Sequence, residues 1–247
     1  MTPFVVRIRF DEDLAFFVKS KKPAALERQL NERTSVKDVI ESCGVPHPEV
    51  DLVVVDGRPV DFGFVLDKAA MVEVHSIRGS RLTFFPEHHL QTIEIEKFVA
   101  DGHLGKLSRD LRLLGFDVAY DPVAEDRRLL AIATTENRAL LTRDRRLLMH
   151  AILRNGYYLR SQDPLEQTLE VLDRFHLAGK LAPFSRCLSC NELLKTVTKT
   201  EIIDQLEPLT KIYYDEFKRC PGCGQIYWPG SHFEKLETRI AKLTEQL

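Results

Sequence analysis

The sequence lacks the features that mark several classes of protein. Its formal net charge is −2, so no strongly basic surface covers the whole molecule and any contact with nucleic acid must come from local patches. No apolar run is long enough to cross a membrane, and MTPFVVRIRFDED at the start lacks the basic and apolar parts of a secretory leader. We therefore expect a cytoplasmic protein with no membrane partner.

Cysteine is scarce, and four of the five cysteines form two C-x-x-C pairs, Cys187 with Cys190 and Cys220 with Cys223. In a reducing compartment two such pairs predict a zinc site, because a two-residue spacer lets one tight turn aim both sulfurs at one ion. A redox-active pair is the alternative for either pair alone. The fifth, Cys43, is expected to be a small buried side chain.

The chain is otherwise ordinary in composition. Of its 247 residues, 44% are hydrophobic and 29% are charged, which is enough apolar material for folded cores. The length suits two or three small domains.

The first 78 residues show a strand-rich pattern. FVVRIRF at 4–10 and MVEVHSI at 71–77 alternate like half-buried strands, and TSVKDVIESCG at 34–44 reads as a short helix. LVVVDGRPV at 52–60 predicts two strands joined by a tight turn.

This order of strands and helix resembles ubiquitin-like β-grasp domains of the sulfur-carrier type. Those carriers end on a free diglycine, whereas this chain continues through Arg78, so a docking or regulatory role is expected instead.

Residues 91–180 alternate strands and helices, as a parallel α/β domain does. IEIEKFVAD, FDVAY, RALLTRD and YYLRS are the predicted strands. Helices are predicted to follow them, including one over RRLLMHAILRNG at 145–156.

Aspartates stand at the ends of these predicted strands. Asp101 and Asp144 each lie at a carboxyl end just before a helix, and Asp126 begins the helix between them. Open parallel sheets place ligands at these ends, so the carboxylates can converge there. Close carboxylates repel each other, and a magnesium or manganese ion, which prefers oxygen ligands, removes that repulsion. The alternative is local, because aspartate is also a favoured helix N-cap.

The C-terminal segment carries the cysteine pairs and two further patterns. KIYYDEF at 211–217 looks like a strand, and ETRIAKLTEQL at 237–247 looks like an amphipathic helix. The side chains of Tyr227, Trp228 and His232 can stack on unpaired bases or can pack the small domain.

Several of these strings together resemble one family. FVADGHLGKLSRDLRLLGFDVAY, DRRLLAIATTENRALLTRDRRLL, RCLSCN and CPGCGQIYWPGSH are similar to the Mut-seven C-terminal ribonuclease family. That family joins a PIN-like nuclease domain to a zinc ribbon, and many bacterial members carry a ubiquitin-like domain in front. The resemblance implies an α/β multidomain chain: a β-grasp domain at 1–78, a linker at 79–90, a PIN-like α/β/α domain with a parallel sheet at 91–180, and a zinc ribbon with a C-terminal helix at 181–247.

The resemblance also implies an activity and its acidic residues. The chain is expected to be a ribonuclease in which Asp101, Asp126 and Asp144 hold catalytic magnesium or manganese, with Glu125 as a substitute for Asp126. Asp163 is a candidate for a fourth acidic position, but we prefer it as the cap of the following helix. Structural zinc is expected on the four cysteines.

Basic residues near the aspartates are expected to hold the RNA backbone. These substrate-binding residues are Arg143, Arg145, Lys106 and Arg109. The alternative is a solvated face on which Lys106 pairs with Asp110, and for Arg146 we prefer that reading.

The expected partners are RNA and a protein. The RNA can be single-stranded or structured, with transfer RNA as one candidate, and the protein partner would bind the β-grasp domain. A non-catalytic RNA-binding adaptor with a structural zinc ribbon is the alternative function. A protein-interaction module built around the β-grasp domain is another.

Overall fold

The fold is that of a computed structural model, which describes residues 2–18, 26–80, 85, 87–92 and 94–245, except for the side chains of Ser231 and His232. Within this part of the chain no helix combines the length and the apolarity needed to cross a bilayer. The chain forms two compact units. Unit 1 comprises Met1–Ile93 and Asp126–Tyr158, and unit 2 comprises Glu94–Glu125 and Leu159–Leu247.

The first segment is a strand-rich domain. Its elements are β1 (Phe4–Phe10), α1 (Glu12–Ala15), β2 (Leu26–Leu30), β3 (Thr34–Ser35), α2 (Val36–Ser42), β4 (Leu52–Val55), β5 (Arg58–Val60), β6 (Val65–Leu66), β7 (Ala70–His75) and α3 (Ile77–Ser80). The strand order β2-β1-β7-β4-β5 has β1 and β7 parallel and the other pairs antiparallel. This arrangement confirms the predicted ubiquitin-like fold.

The core of this domain follows the sequence pattern. The alternating residues Val6, Ile8 and Phe10 of β1 are buried, and so is the apolar face of α2. Cys43 is buried among them, as predicted. The turn between β4 and β5 places Asp56 at a φ of 47° and Gly57 at 78°, the left-handed geometry of a two-residue hairpin.

The middle segment alternates strands and helices, as predicted. Its elements are β8 (Lys97–Ala100), α4 (Gly105–Leu113), β9 (Asp117–Tyr120), α5 (Asp126–Thr135), β10 (Ala139–Thr142), α6 (Arg145–Leu148), β11 (Gly156–Tyr158) and α7 (Pro164–Arg174). In unit 2, β8 pairs with β9 in parallel, and in unit 1, β10 pairs with β11 in parallel. The predicted parallel α/β fold is therefore confirmed.

The helix predicted over 145–156 is wrong in length, since α6 ends at Leu148. The backbone O of Asn155 accepts a hydrogen bond from Leu140 N at 3.1 Å, so the ladder with β10 begins just before β11. The chain must be extended there, and the residues between turn through local bonds such as Leu153 N to His150 O.

The C-terminal segment contains a small antiparallel sheet. Its elements are β12 (Lys195–Val197), α8 (Lys199–Ile202), α9 (Pro208–Tyr213), β13 (Phe217–Arg219), β14 (Ile226–Tyr227) and α10 (Ser231–Thr244). The strand predicted over 211–217 is wrong up to residue 216, because Pro208 occupies the first turn of a helix that continues to Tyr213. Phe217 is the first residue of β13. The terminal helix predicted over 237–247 is confirmed as far as Thr244 and begins earlier, at Ser231, while residues 246 and 247 lie outside the described part of the chain.

Candidate functional site

The four cysteines predicted to bind zinc lie together in unit 2. Their sulfur atoms are all within 4.8 Å of one another. The contacts run between the two C-x-x-C pairs, with Cys187 Sγ 3.5 Å from Cys223 Sγ and Cys190 Sγ 3.2 Å from Cys220 Sγ. The two pairs therefore form one site rather than two separate redox pairs. Four converging sulfurs are the donor set of a closed structural zinc site, so these thiols can bind one zinc ion.

The two cysteine turns have matching backbone geometry. In each turn the N–H of the second cysteine points to the sulfur of the first at 3.5 Å. The residue after each pair, Asn191 or Gly224, has a φ of 76° or 78°. Glycine adopts this left-handed conformation without strain, and asparagine tolerates it better than most residues. The chain thus folds back beneath the sulfurs in the same way at both turns.

A buried arginine joins the first cysteine turn to the α/β fold of unit 2. The Arg112 guanidinium donates to the backbone O of Val118 at 2.8 and 3.1 Å, and to the O atoms of Leu188 and Ser189 at 3.2 and 2.9 Å. Burial lowers the pKa of Arg112, and the nearby Cys187 opposes that change. The role of Arg112 is not visible in the sequence, since its partners are up to 77 residues away.

Tyr227 also supports the first turn. Its hydroxyl lies 3.2 Å from Cys187 Sγ and accepts a hydrogen bond from Leu188 N at 3.0 Å. These contacts favour the packing role for Tyr227 over base stacking. The side chain of His232 lies outside the described residues.

The thiols differ in how readily they ionise. Burial raises the pKa of Cys187, but hydrogen bonds from Tyr227 and from the backbone of Cys190 and Ser189 outweigh it and lower that pKa to about 6. Burial raises the pKa of Cys190 to about 12, and the pKa of Cys223 is raised as well. At neutral pH in the metal-free site, Cys187 is therefore mostly a thiolate, whereas Cys190 and Cys223 retain their protons.

We expect the zinc affinity of the metal-free protein to fall as pH falls. Zinc binds thiolates, so binding must release at least the protons of Cys190 and Cys223. The affinity should therefore change by at least about a hundredfold per pH unit near neutrality. Below about pH 6 the Cys187 thiol also becomes protonated, and the fall should become steeper. Competition with a chromophoric chelator measures this, with Cys43→Ala as a control of equal slope. An affinity independent of pH would contradict zinc binding by these thiols.

Asp101 follows β8 in unit 2. It is half-buried and precedes a single 3-10 turn at Gly102–Leu104, and its side chain does not cap that turn. Tyr120 donates its hydroxyl hydrogen to the backbone O of Gly102 at 2.8 Å. A Cβ on Gly102 would lie 2.6 Å from Pro122 O, so only glycine fits this close approach. The loop after Asp101 is therefore fixed against the end of β9.

Asp126 and Asp144 belong to unit 1, and both are exposed. Asp126 is the first residue of α5. Asp144 caps α6, because its Oδ1 accepts hydrogen bonds from Arg146 N at 2.7 Å and from Leu147 N at 3.3 Å. Among the described residues none donates to its Oδ2, which leaves one oxygen for a ligand. The convergence of these aspartates with Asp101 on one ion stays a prediction.

The predicted cap at Asp163 is confirmed. Its Oδ1 accepts from Leu165 N at 2.8 Å and from Glu166 N at 3.2 Å at the start of α7. Asp163 and Asp144 thus use the same capping geometry on two different helices.

The predicted substrate-binding residues divide between the units. Lys106 and Arg109 are exposed on α4 in unit 2, where Asp110 pairs with Arg239 rather than with Lys106. In unit 1 the Arg143 guanidinium lies 6.0 Å from the ring centroid of Tyr158. Arg145 donates to backbone oxygens of the ubiquitin-like domain. Binding of RNA by these four residues stays a prediction.

Unit 2 also contains a cavity of about 820 Å³ that sequence reasoning missed. Its lining combines aromatic side chains, among them Tyr214, Trp228 and Phe233, with the cation Arg109. These residues come from separate parts of the chain, so no local pattern could have indicated the cavity.

Comparisons with known proteins agree with this architecture. The family model described as Mut7-C RNAse domain matches residues 96–240, and the one described as Mut7-C ubiquitin matches residues 4–81. No curated protein matches the chain. The first match covers more than half of the sequence and includes the aspartates at strand ends and the four-cysteine cluster. The chain therefore belongs to the Mut7-C RNAse domain family, with a Mut7-C ubiquitin domain in front.

Proposed function

We propose that the protein is a metal-dependent ribonuclease that hydrolyses RNA phosphodiester bonds. The observation that carries this proposal is the match of residues 96–240 to the Mut7-C RNAse domain. Asp101, Asp126 and Asp144 are the proposed ligands of catalytic magnesium or manganese, since oxygen ligands suit these cations. The exposed Asp144 supports this assignment. One of its carboxylate oxygens is fixed by the helix cap, while the other accepts no hydrogen bond from the residues that the structure describes.

Each group of residues has a distinct task in the proposed reaction. When bound, the divalent ion activates a water and stabilises charge on the attacked phosphate. The three aspartates hold it, and their own charge would repel RNA if no cations were near. Arg143, Lys106 and Arg109 are proposed to attract the phosphate backbone instead. The guanidinium of Arg145, which was expected to act with them, donates to the backbone oxygens of Phe16 and Phe17. The expected products carry a 5′-phosphate and a 3′-hydroxyl.

The remaining segments are proposed to support this centre. The four cysteines bind structural zinc, which stabilises the ribbon at 181–247. The nuclease domain occupies 91–180, the ubiquitin-like domain 1–78 and a linker 79–90. The ubiquitin-like domain is the proposed site of a protein partner. The RNA is single-stranded or structured, with transfer RNA as one candidate, and the protein acts in the cytoplasm without a membrane partner.

A second function, that of a non-catalytic RNA-binding adaptor, is favoured by one observation. Asp144 caps α6, which is the role that an aspartate without catalytic function would have. An adaptor would bind RNA through its basic residues and its ribbon but would not cleave the RNA.

A cleavage assay separates the two functions. We expect the full-length, zinc-loaded protein to cut 5′-labelled RNA in the presence of manganese or magnesium. Cleavage should stop when calcium replaces these ions. Chelation at a concentration that leaves the zinc bound provides a second control. Analysis of the product ends should show 5′-phosphates. Binding of the RNA without any cut in either metal would contradict the ribonuclease and leave the adaptor.

A further inference from the structure

The short helix that presents Asp144 needs support from outside itself. Helix α6 has only four residues, and a helix of this length is not stable alone. Its position, and with it the direction of the Asp144 carboxylate, depends on the side chains that anchor it. Leu147 and Leu148 are buried and provide two anchors. Arg145, the residue directly after Asp144, provides a third.

Arg145 is anchored on the ubiquitin-like domain. Its Nη1 donates to the backbone O of Phe17 at 3.0 Å, and its Nη2 donates to that of Phe16 at 3.4 Å. Both carbonyls come directly after α1 (Glu12–Ala15). Carbonyl groups at the end of a helix lack partners within the helix and carry partial negative charge, so they suit a guanidinium.

Three aromatic rings surround the same guanidinium. The Cζ atom of Arg145 lies 5.4, 5.0 and 5.6 Å from the ring centroids of Phe16, Phe17 and Tyr158. The rings also contact one another, with centroids 5.2 to 5.8 Å apart. Cations within about 6 Å of such rings are attracted to them. We call Phe16, Phe17, Tyr158 and the guanidinium they enclose the Arg145 cage.

The Arg145 cage packs against the core of the ubiquitin-like domain through Phe17 and Tyr158. Phe17 is completely buried in that core, and Tyr158, from β11, packs against it. The buried side chain of Glu49 accepts a hydrogen bond from Tyr158 N at 2.7 Å, and the buried His47 donates from Nε2 to the backbone O of Leu153 at 2.7 Å. The segment that follows Asp144 in unit 1 is thus held by the ubiquitin-like domain at Arg145, Leu153 and Tyr158.

We propose that the ubiquitin-like domain is a built-in part of the nuclease centre, and that Arg145 is a positioning residue for Asp144. Phe16 and Phe17 hold Arg145, and Arg145 fixes the start of α6, so that the open oxygen of Asp144 keeps the direction that metal binding needs. This inference rests on the proposed function. It assigns Arg145 to the protein's own structure rather than to the RNA backbone.

Variants of the full-length protein test the cage. We expect Arg145→Ala to lower kcat by about 10- to 100-fold, the usual cost of losing a group that orients a metal ligand, and to raise the manganese concentration for half-maximal activity. The KM for RNA should not change. Arg145→Lys should restore part of the loss, because an ammonium still donates to both carbonyls. The matched control is Arg146→Ala, which removes the same charge from an exposed neighbour and should leave kcat unchanged.

A variant on the other side of the contact makes the test specific. The Phe16 residue is 48% exposed, so Phe16→Ala should leave the melting temperature close to that of the wild type. Phe16→Ala should lower kcat, as Arg145→Ala does. The fold-reduction of kcat in the double variant should be smaller than the product of the two single reductions, since both substitutions disrupt the same contact. Full activity of Phe16→Ala would overturn the proposal.

The outcomes also separate this proposal from the proposed function. If Arg145 binds RNA instead, Arg145→Ala would raise KM, reduce the salt slope of RNA binding by about one and leave kcat unchanged, which would overturn the positioning role. If the wild type cuts no RNA, the ribonuclease fails. Direct titration of manganese binding then still tests whether the Arg145 cage positions Asp144. Equal manganese affinity in the wild type and in Arg145→Ala would overturn it.

Discussion

Replacing Asp144 with asparagine is expected to reduce metal-dependent RNA cleavage at least about a thousand-fold while leaving the fold intact. Asparagine keeps the shape of the side chain and one oxygen, so it can still accept the hydrogen bonds from Arg146 N and Leu147 N that cap α6. It loses the negative charge that a divalent cation needs. The loss of several kcal/mol of charge stabilisation in the transition state corresponds to this factor, at about 1.4 kcal/mol per tenfold. Single-turnover cleavage at saturating manganese measures the change.

Asp163→Asn is the matched control for this variant. Asp163 caps α7 with the same pattern of two backbone N–H donors, but it is not among the proposed metal ligands. We expect wild-type cleavage from Asp163→Asn and an unchanged melting temperature for both variants. Wild-type activity in Asp144→Asn would show that Asp144 only caps its helix, and would remove Asp144 from the proposed metal ligands.

The sequence predicted the elements whose pattern is local. The alternation in β1, the tight turn at Asp56–Gly57 and the cap at Asp163 depend on a few neighbouring residues, and the structure confirms each of them. The two errors, over 145–156 and 211–217, arose where distant pairing or a proline at a helix start overrode periodicity. The periodicity of apolar residues indicates which face of a helix or strand is buried, but it does not show where the hydrogen bonds between two strands begin.

The candidate site divides in the same way. The four cysteines could be predicted because each C-x-x-C turn has the spacing that zinc ligands need. The contacts of Arg112 and Tyr227 with the first turn could not be predicted, since these residues meet that turn only in the folded chain. Arg145 shows the limit most clearly. Its position next to Asp144 is visible in the sequence, whereas the carbonyls that bind it lie 128 and 129 residues earlier.

Removal of the zinc ligands is expected to unfold the C-terminal ribbon and to leave the ubiquitin-like core folded. The sheet of β12, β13 and β14 has strands of only two or three residues. The apolar cluster beneath it has few fully buried members, among them Ile202, Leu206 and Phe217. So small a core cannot offset the entropy of ordering the segment. Structural zinc contributes about 10–16 kcal/mol in zinc-finger peptides, so zinc on these four cysteines would be the main stabilising interaction of the ribbon.

Cys223→Ala is the sharpest variant for this purpose, because Cys223 is exposed and its loss removes a ligand without removing core packing. We expect bound zinc to fall from about one ion per chain to almost none, and amide hydrogen exchange at residues 186–227 to become fast. Cys43→Ala, which alters a buried thiol in the other unit, should keep its zinc and a protected ribbon. Slow exchange of β12–β14 in metal-free Cys223→Ala would show that packing alone holds the ribbon. Because Arg112 connects the first cysteine turn to Val118 in β9, the disorder should also loosen β9. The loop after Asp101 is fixed against the end of that strand. Zinc loss should therefore lower cleavage activity even though no zinc ligand takes part in the proposed reaction.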